Sequence, residues 1–66
     1  MHLTINGTAR DDIDAGSVEG LLLELGLDPR AVVVELNREI IRRPQLADTG
    51  LREGDVVEIV HFVGGG

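Results

Sequence analysis

The sequence predicts an α+β fold, a mixed sheet of about four to five strands with one main helix packed across it, and three observations carry that prediction. Two segments with strand character run into asparagine-led turns, Asn6-Gly7 and Asn37-Arg38. Between them lies one apolar stripe at helical spacing, Val18, Leu21, Leu22 and Leu25. After the second turn comes an almost uninterrupted apolar run over residues 56–63.

Residues 2–6 set Leu3 and Ile5 against His2 and Thr4, a strand that closes in a two-residue hairpin turn at Asn6-Gly7. The return strand runs from Thr8 to about Asp12, with one polar face. Asp11, Asp12 and Asp14 read as its solvated end, because the glycine and distal glutamate of a calcium loop are missing. Ser17 is the expected N-cap of the helix, with Glu19 beside the positive end of the macrodipole. Gly26 stops the helix, and Leu27 folds back on Leu22 as in a Schellman ending. A glycine inside the helix, Gly20, costs about 1 kcal/mol relative to alanine. So short a helix does not hold alone in water, so its stripe has to lie on a sheet.

Asp28-Pro29-Arg30 is a connector, since proline restricts its neighbour and donates nothing to a ladder. A third strand is expected over residues 31–36, with Val32, Val34 and Leu36 towards the helix if Glu35 faces water. Asn37-Arg38 turns the chain into a short fourth strand, Glu39-Ile40-Ile41, which Arg43-Pro44 ends. Residues 45–51 read as an irregular crossover with one helical turn, and Arg52-Glu53-Gly54-Asp55 as a turn into the last strand. Placed centrally beside the first strand, residues 56–63 would owe their apolar character to that position. Hairpin, helix, hairpin, crossover and final strand is the order of the β-grasp, or ubiquitin-like, arrangement. The expected division is a β-grasp domain over 1–63 and a flexible glycine tail over 64–66.

Sixty-six residues make one domain, too small for a large core and a deep substrate pocket together. Hydrophobic residues are 42% and Phe62 is the one aromatic, so the core is aliphatic. There is no cysteine, hence no disulfide, thiolate nucleophile or sulfur-ligated metal, in keeping with a reducing compartment. No leader pattern and no bilayer-length apolar segment is present, and a soluble, cytoplasmic protein with no membrane partner is expected. Twelve acidic against six basic residues give a net charge of -6, and the one clustered basic pair is Arg42-Arg43. That balance argues against nucleic acid and for a partner with a basic docking face, while the acidity also serves solubility. All six basic residues are arginine, so the chain offers no lysine side chain as an acylation target.

The sequence closes on Gly64, Gly65 and Gly66. Residues without a Cβ pack nothing and lose the most freedom on ordering, so such a tail is poor at holding a fold together. Read as the chain's own end, its useful group is the terminal carboxylate. At about 3.3 to 3.6 Å per residue, the glycines carry that group roughly 10 Å beyond the last strand and into a narrow slot. A triglycine end is also what a linker looks like. In the strand before it, a charged Glu58 is expected to face outward, which places Val60 and Phe62 on the same exposed side at the tail root. Two readings of Phe62 stand open: a docking patch together with Val60 and Val63, or a plug in the end of the core. His61 reads as a core or strand-end residue. With one serine, Ser17, used as a cap and no cysteine, no nucleophile–base pair can be assembled. Glu35, Glu39, Glu53 and Glu58 show no spacing for a metal or an acid–base pair, so no catalytic residue, metal or bound cofactor is expected.

The segments Val34-Glu35-Leu36-Asn37-Arg38-Glu39-Ile40-Ile41 and Glu53-Gly54-Asp55-Val56-Val57-Glu58-Ile59-Val60-His61-Phe62-Val63-Gly64-Gly65-Gly66, with Arg43 between them, resemble the ThiS family, the sulfur carrier proteins of thiamine biosynthesis. The likeness covers nearly the whole chain. A terminal Gly-Gly alone is shared with ubiquitin-like modifiers and the small subunit of molybdopterin synthase; the Glu-Leu-Asn turn, the Gly-Asp turn and His-Phe-Val-Gly-Gly together are far more specific. Two residues depart from the family pattern. Arg38 stands where many members have glycine, and Leu46 where a tryptophan is common.

The resemblance implies that a ThiF-like adenylating enzyme, using ATP and magnesium, joins the Gly66 carboxylate to AMP. Sulfur derived from cysteine, by way of a cysteine desulfurase or similar donor, then replaces the AMP. Gly66 would carry the resulting thiocarboxylate to thiazole synthase, while Gly64, Gly65 and Gly66 enter the partners' active sites. A carboxylate is a poor electrophile at neutral pH, so activation is a chemical necessity. From the residues alone, three other readings remain: a carrier for molybdopterin synthesis, a protein modifier and a non-covalent β-grasp interaction module.

Overall fold

The computed structural model describes residues 1–62. The chain runs β1 (Leu3–Ile5), β2 (Thr8–Arg10), α1 (Val18–Glu24), β3 (Val32–Leu36), β4 (Glu39–Ile41) and β5 (Val56–His61), with short 3-10 turns at Pro29–Ala31 and Arg43–Gln45. The five strands form one sheet in the order β2-β1-β5-β3-β4. β5 is central, parallel to β1 and antiparallel to β3. This is the β-grasp arrangement. The last strand ends at His61, with Phe62 just past it, so it is shorter than the expected run; the expected strand end at Val63 and the tail over 64–66 lie outside the described residues.

Both hairpins close in two residues with positive φ: Asn6 at 49° and Gly7 at 82°, Asn37 at 51° and Arg38 at 72°. That is the mirror-image turn whose twist matches paired strands, and it suits asparagine first and glycine second. Gly7 meets the requirement without strain, whereas Arg38 carries a Cβ in the left-handed region.

The helix is fixed at both ends. Ser17 Oγ accepts from Gly20 N at 3.1 Å, as expected of an N-cap. The other free N–H groups of the first turn are met by the crossover: Val18 N donates to Thr49 O at 2.9 Å and Glu19 N to Leu46 O at 3.0 Å. The crossover is thus tied to the helix start, with its helical turn at its beginning. At the far end Gly26, at φ 76°, donates to Leu23 O and Leu27 N donates to Leu22 O at 2.8 Å, the two bonds of a Schellman ending. Gly20 has a packing reason as well. A Cβ there would lie 3.2 Å from the Ser17 hydroxyl oxygen and 3.3 Å from Ala15 Cβ, pressing on the cap.

The core lies between α1 and one face of the sheet. Leu3, Ile5, Ile13, Val18, Leu21, Leu22, Val32, Val34, Leu46, Leu51, Val57 and Ile59 are buried, and no polar or charged residue is buried among the described residues. Leu46, at the position where the family often has tryptophan, is 3% exposed and fills the core beneath the crossover. Two expectations are corrected. The third strand begins at Val32 rather than Ala31, because Asp28 caps a 3-10 turn that Ala31 closes. The central strand also does not owe its apolar character to its central position alone: Val56 and Val60, on the side that Glu58 was expected to turn outward, are 42% and 62% exposed. Its apolar character therefore serves one buried and one bare face.

Arg38→Gly relieves a left-handed cost of about 1–2 kcal/mol, partly offset by the greater freedom of glycine in the unfolded chain. The expected result is an unfolding free energy raised by up to about 1 kcal/mol, seen as a higher midpoint in a urea titration with unchanged m. A lower midpoint would show that Arg38 is not strained.

Candidate functional site

The site is built on β5, because it is the strand that leads towards the glycines. Its register is set on both sides by asparagine amides. Asn37 N donates to Val56 O at 2.7 Å while its Oδ1 accepts from Val56 N at 2.9 Å. Its Nδ2 donates to Asp55 Oδ1 at 3.0 Å, joining the β3–β4 turn to the turn before β5. Asn6 does the same from the other hairpin: its Oδ1 accepts from Ile59 N at 2.7 Å and its Nδ2 donates to Ile59 O at 3.2 Å. Asp55 in turn accepts from Arg52 N at 2.8 Å and closes the tight turn expected over residues 52–55. The strand cannot slip without breaking these bonds.

Alternation then decides what faces out. Val57 and Ile59 go under the helix, and Val56, Glu58 and Val60 face solvent. Phe62 follows the same parity; it is 50% exposed, which rules out the core plug and leaves it at the surface. It borders a shallow hollow with Val33, Ile40, Arg42, Arg43 and Pro44. Val33 and Ile40 were not picked out from sequence, yet the signal was available. A two-residue turn at Asn37-Arg38 pairs Glu35 with Ile40, and an outward Glu35 takes Ile40 and Val33 to the bare face with it. The same register sets Glu35 opposite Glu58, two like charges across the sheet among exposed valine and isoleucine side chains.

Of the candidate site residues, Val60 and Phe62 are brought together on this face, while Val63, Gly64, Gly65 and Gly66 lie outside the described residues. His61 is exposed at the end of β5. Ser17 is engaged as a helix cap, so its hydroxyl is committed to structure. The carboxyls held below their ordinary range are remote from this face. Asp12 is lowered chiefly by its hydrogen bond from Arg10, and Asp28 by its hydrogen bond from Arg30. Among the described residues no three His, Asp or Glu side chains converge on a point where a metal could sit, and no helix is long and apolar enough to cross a membrane.

A parallel first and last strand, one helix across one sheet face and a bare apolar face at the root of a glycine-rich end define a ubiquitin-like β-grasp protein. The model of the ThiS family matches residues 3–66, and the chain belongs to that family, which includes sulfur carrier proteins. It is 45% identical over 53 residues to the sulfur carrier protein ThiS of Bacillus subtilis, covering 80% of each chain. The crystal structure of the thiamine biosynthesis protein ThiS from Geobacter metallireducens superposes with a TM-score of 0.84 at 38% identity, over 100% of both chains. The whole chain also matches part of a thiazole synthase of Paramagnetospirillum magneticum, 47% identical over 66 residues. It spans 20% of that protein's length.

A half-exposed phenylalanine gives up only part of the 1.5–3 kcal/mol of full burial, so Phe62→Ala is expected to cost about 1 kcal/mol. Thermal unfolding checks this. A loss near the 3–5 kcal/mol typical of a buried phenylalanine would place the ring in the core instead.

Proposed function

We propose that this chain is a cytoplasmic sulfur carrier of thiamine biosynthesis whose working atom is the carbonyl carbon of Gly66. A ThiF-like enzyme, using ATP and magnesium, transfers AMP to the Gly66 carboxylate with release of pyrophosphate. The product is a mixed anhydride whose leaving group is AMP. Sulfur supplied from cysteine by a desulfurase or similar donor displaces the AMP, and the thiocarboxylate passes its sulfur to thiazole synthase. The carrier supplies no catalytic group; it supplies reach and fit.

The observation that carries this reading is the exposed patch of Val60 and Phe62, with Val33 and Ile40, at the end of the strand that runs towards Gly64, Gly65 and Gly66. An apolar patch with an aromatic anchor is what a partner grips, and its position next to the thread lets one contact serve to aim the other. Val63 extends that patch in the proposal. The facing carboxylates of Glu35 and Glu58 favour a partner surface that is apolar with a basic centre. A thiazole synthase that holds a segment 47% identical to this entire chain supports that enzyme as the sulfur acceptor.

Intact-mass measurement after incubation with the adenylating enzyme, ATP and a sulfur donor is the direct test. The expected gain equals the mass by which sulfur exceeds oxygen. Adducts to other proteins would point to a modifier, and no change to an interaction module. Deleting Gly66 is expected to abolish the gain while leaving the melting temperature within a few degrees, since no apolar side chain leaves the core. Phe62→Ala is expected to raise the carrier's KM for adenylation without unfolding it; an unchanged KM would remove Phe62 from the docking surface.

A further inference from the structure

The two asparagines that clamp β5 differ in the residue that follows them. Asn37 precedes Arg38, whereas Asn6 precedes Gly7. On the β1 side, the far half of β5 depends on Asn6. The β1–β5 ladder ends at the Ile5↔Val57 pair, after which Asn6 N donates to Val57 O at 2.9 Å. The Asn6 amide then takes both backbone groups of Ile59, at 2.7 Å and 3.2 Å, so that one side chain stands in for a strand.

Asparagine is among the chemically labile residues, and a glycine after it leaves the attacking nitrogen uncrowded. The Gly7 nitrogen can close a cyclic imide on Asn6 Cγ. The N–Cγ bond forms, the Cγ–Nδ2 bond breaks, and Nδ2 leaves as ammonia with the proton of the Gly7 N–H. Water then opens the ring at either carbonyl to give aspartate or isoaspartate; nothing is oxidised or reduced. A Cβ at Gly7 would meet no atom within 4 Å, so the turn is open to that water. No hydrogen bond among the described residues occupies the Gly7 N–H. The fold restrains the other reactant, the amide carbon, which the two bonds to Ile59 hold towards β5.

We propose that Asn6-Gly7 is a self-modification site gated by the β5 clamp: release of the Asn6 amide from Ile59 opens it to deamidation, and the converted residue cannot rebuild the clamp. Ionised aspartate is acceptor-only, so it still meets Ile59 N but sets an oxygen against Ile59 O where Nδ2 donated. Isoaspartate adds a main-chain carbon to a turn that closes in two residues, which disturbs the hairpin register. Either product leaves the far half of β5, with the exposed Val60 and Phe62 at its end, held chiefly from the β3 side. The change runs one way, because the amide nitrogen has left as ammonia. The second clamp lacks this liability, since the Arg38 side chain crowds the nitrogen that would attack Asn37. Neither step needs a partner protein.

Ageing the unaltered protein in mildly alkaline buffer tests this, with peptide mapping by mass spectrometry to read the mass by which OH exceeds NH2 and to separate Asn6 from Asn37. In urea above the unfolding midpoint, Asn6 is expected to convert well ahead of Asn37. In the folded protein its conversion is expected to be at least about tenfold slower, the protection that two hydrogen bonds supply. Urea added below the midpoint is expected to leave that slow rate nearly unchanged, because only a side chain has to open. Equal rates in the folded and unfolded protein, or conversion led by Asn37, would overturn the site. A folded-state rate that climbs with urea as steeply as global unfolding would overturn the gate, since the protection would belong to the whole fold. Arg38→Gly in urea is expected to bring Asn37 up to the rate of Asn6; a persistent lag would show that glycine is not what makes Asn6 the site. Asn6→Asp checks the consequence. Its urea midpoint is expected to fall below that of the unaltered protein, and an equal midpoint would show the clamp rebuilt and overturn the one-way loss.

Discussion

Strand β5 lies between β1 of the first hairpin and β3 of the second, and without it the two hairpins share no ladder. Its Val57 is fully buried and Ile59 nearly so, pressed beneath the stripe of Val18, Leu21 and Leu22. Strands of three to six residues are marginal by themselves, so the sheet stands because one strand joins them all. The asparagines at the two hairpin tips act on that same strand. Asn6 holds Ile59 and Asn37 holds Val56 through both backbone groups, so turn chemistry and sheet register are enforced by the same residues. Replacing either by glycine would keep the turn and lose the clamp.

The helix covers one face of the sheet and leaves the other bare, and the proposed carrier role rests on this division. Position of the tail root follows from the clamp, and chemistry of the bare face follows from parity: once Val57 and Ile59 are committed to the core, Val60 and Phe62 must face water. A domain of this size has little volume left for a deep substrate pocket once its core is filled. On the proposed reading it presents a carboxylate to pockets that belong to others, and its own structure is spent on holding the root of the thread steady.

Much of this was legible in the sequence. Asn6-Gly7, Ser17, Gly26 and the turn over residues 52–55 each announce a backbone requirement that few other residues meet, and each sits where it was expected. The outward parity of Glu58 gave the exposed side of β5 correctly, because a charge on an aliphatic core face is too costly. The apolar run over residues 56–63 was put down to central position, which is only part of its cause: valine serves a strand whether its face is packed or bare, and it was the parity of Glu58 that separated the two faces. The amide clamps were hidden for another reason. They join Asn6 to a residue 53 positions away, and no local pattern encodes that contact. The tie between the crossover carbonyls and the helix start was hidden in the same way, since backbone acceptors carry no sequence mark.

The proposed function has one strand end, with one bare face beside it, serve both enzymes in turn. Two active sites cannot enclose the same thread at once, so binding to the adenylating enzyme and to thiazole synthase must be mutually exclusive. The direct measurement is a sedimentation or native-mass titration of the carrier with both enzymes present. The account predicts two binary complexes whose populations trade against each other as either enzyme is raised, and no species containing all three proteins. A stable ternary complex would contradict it.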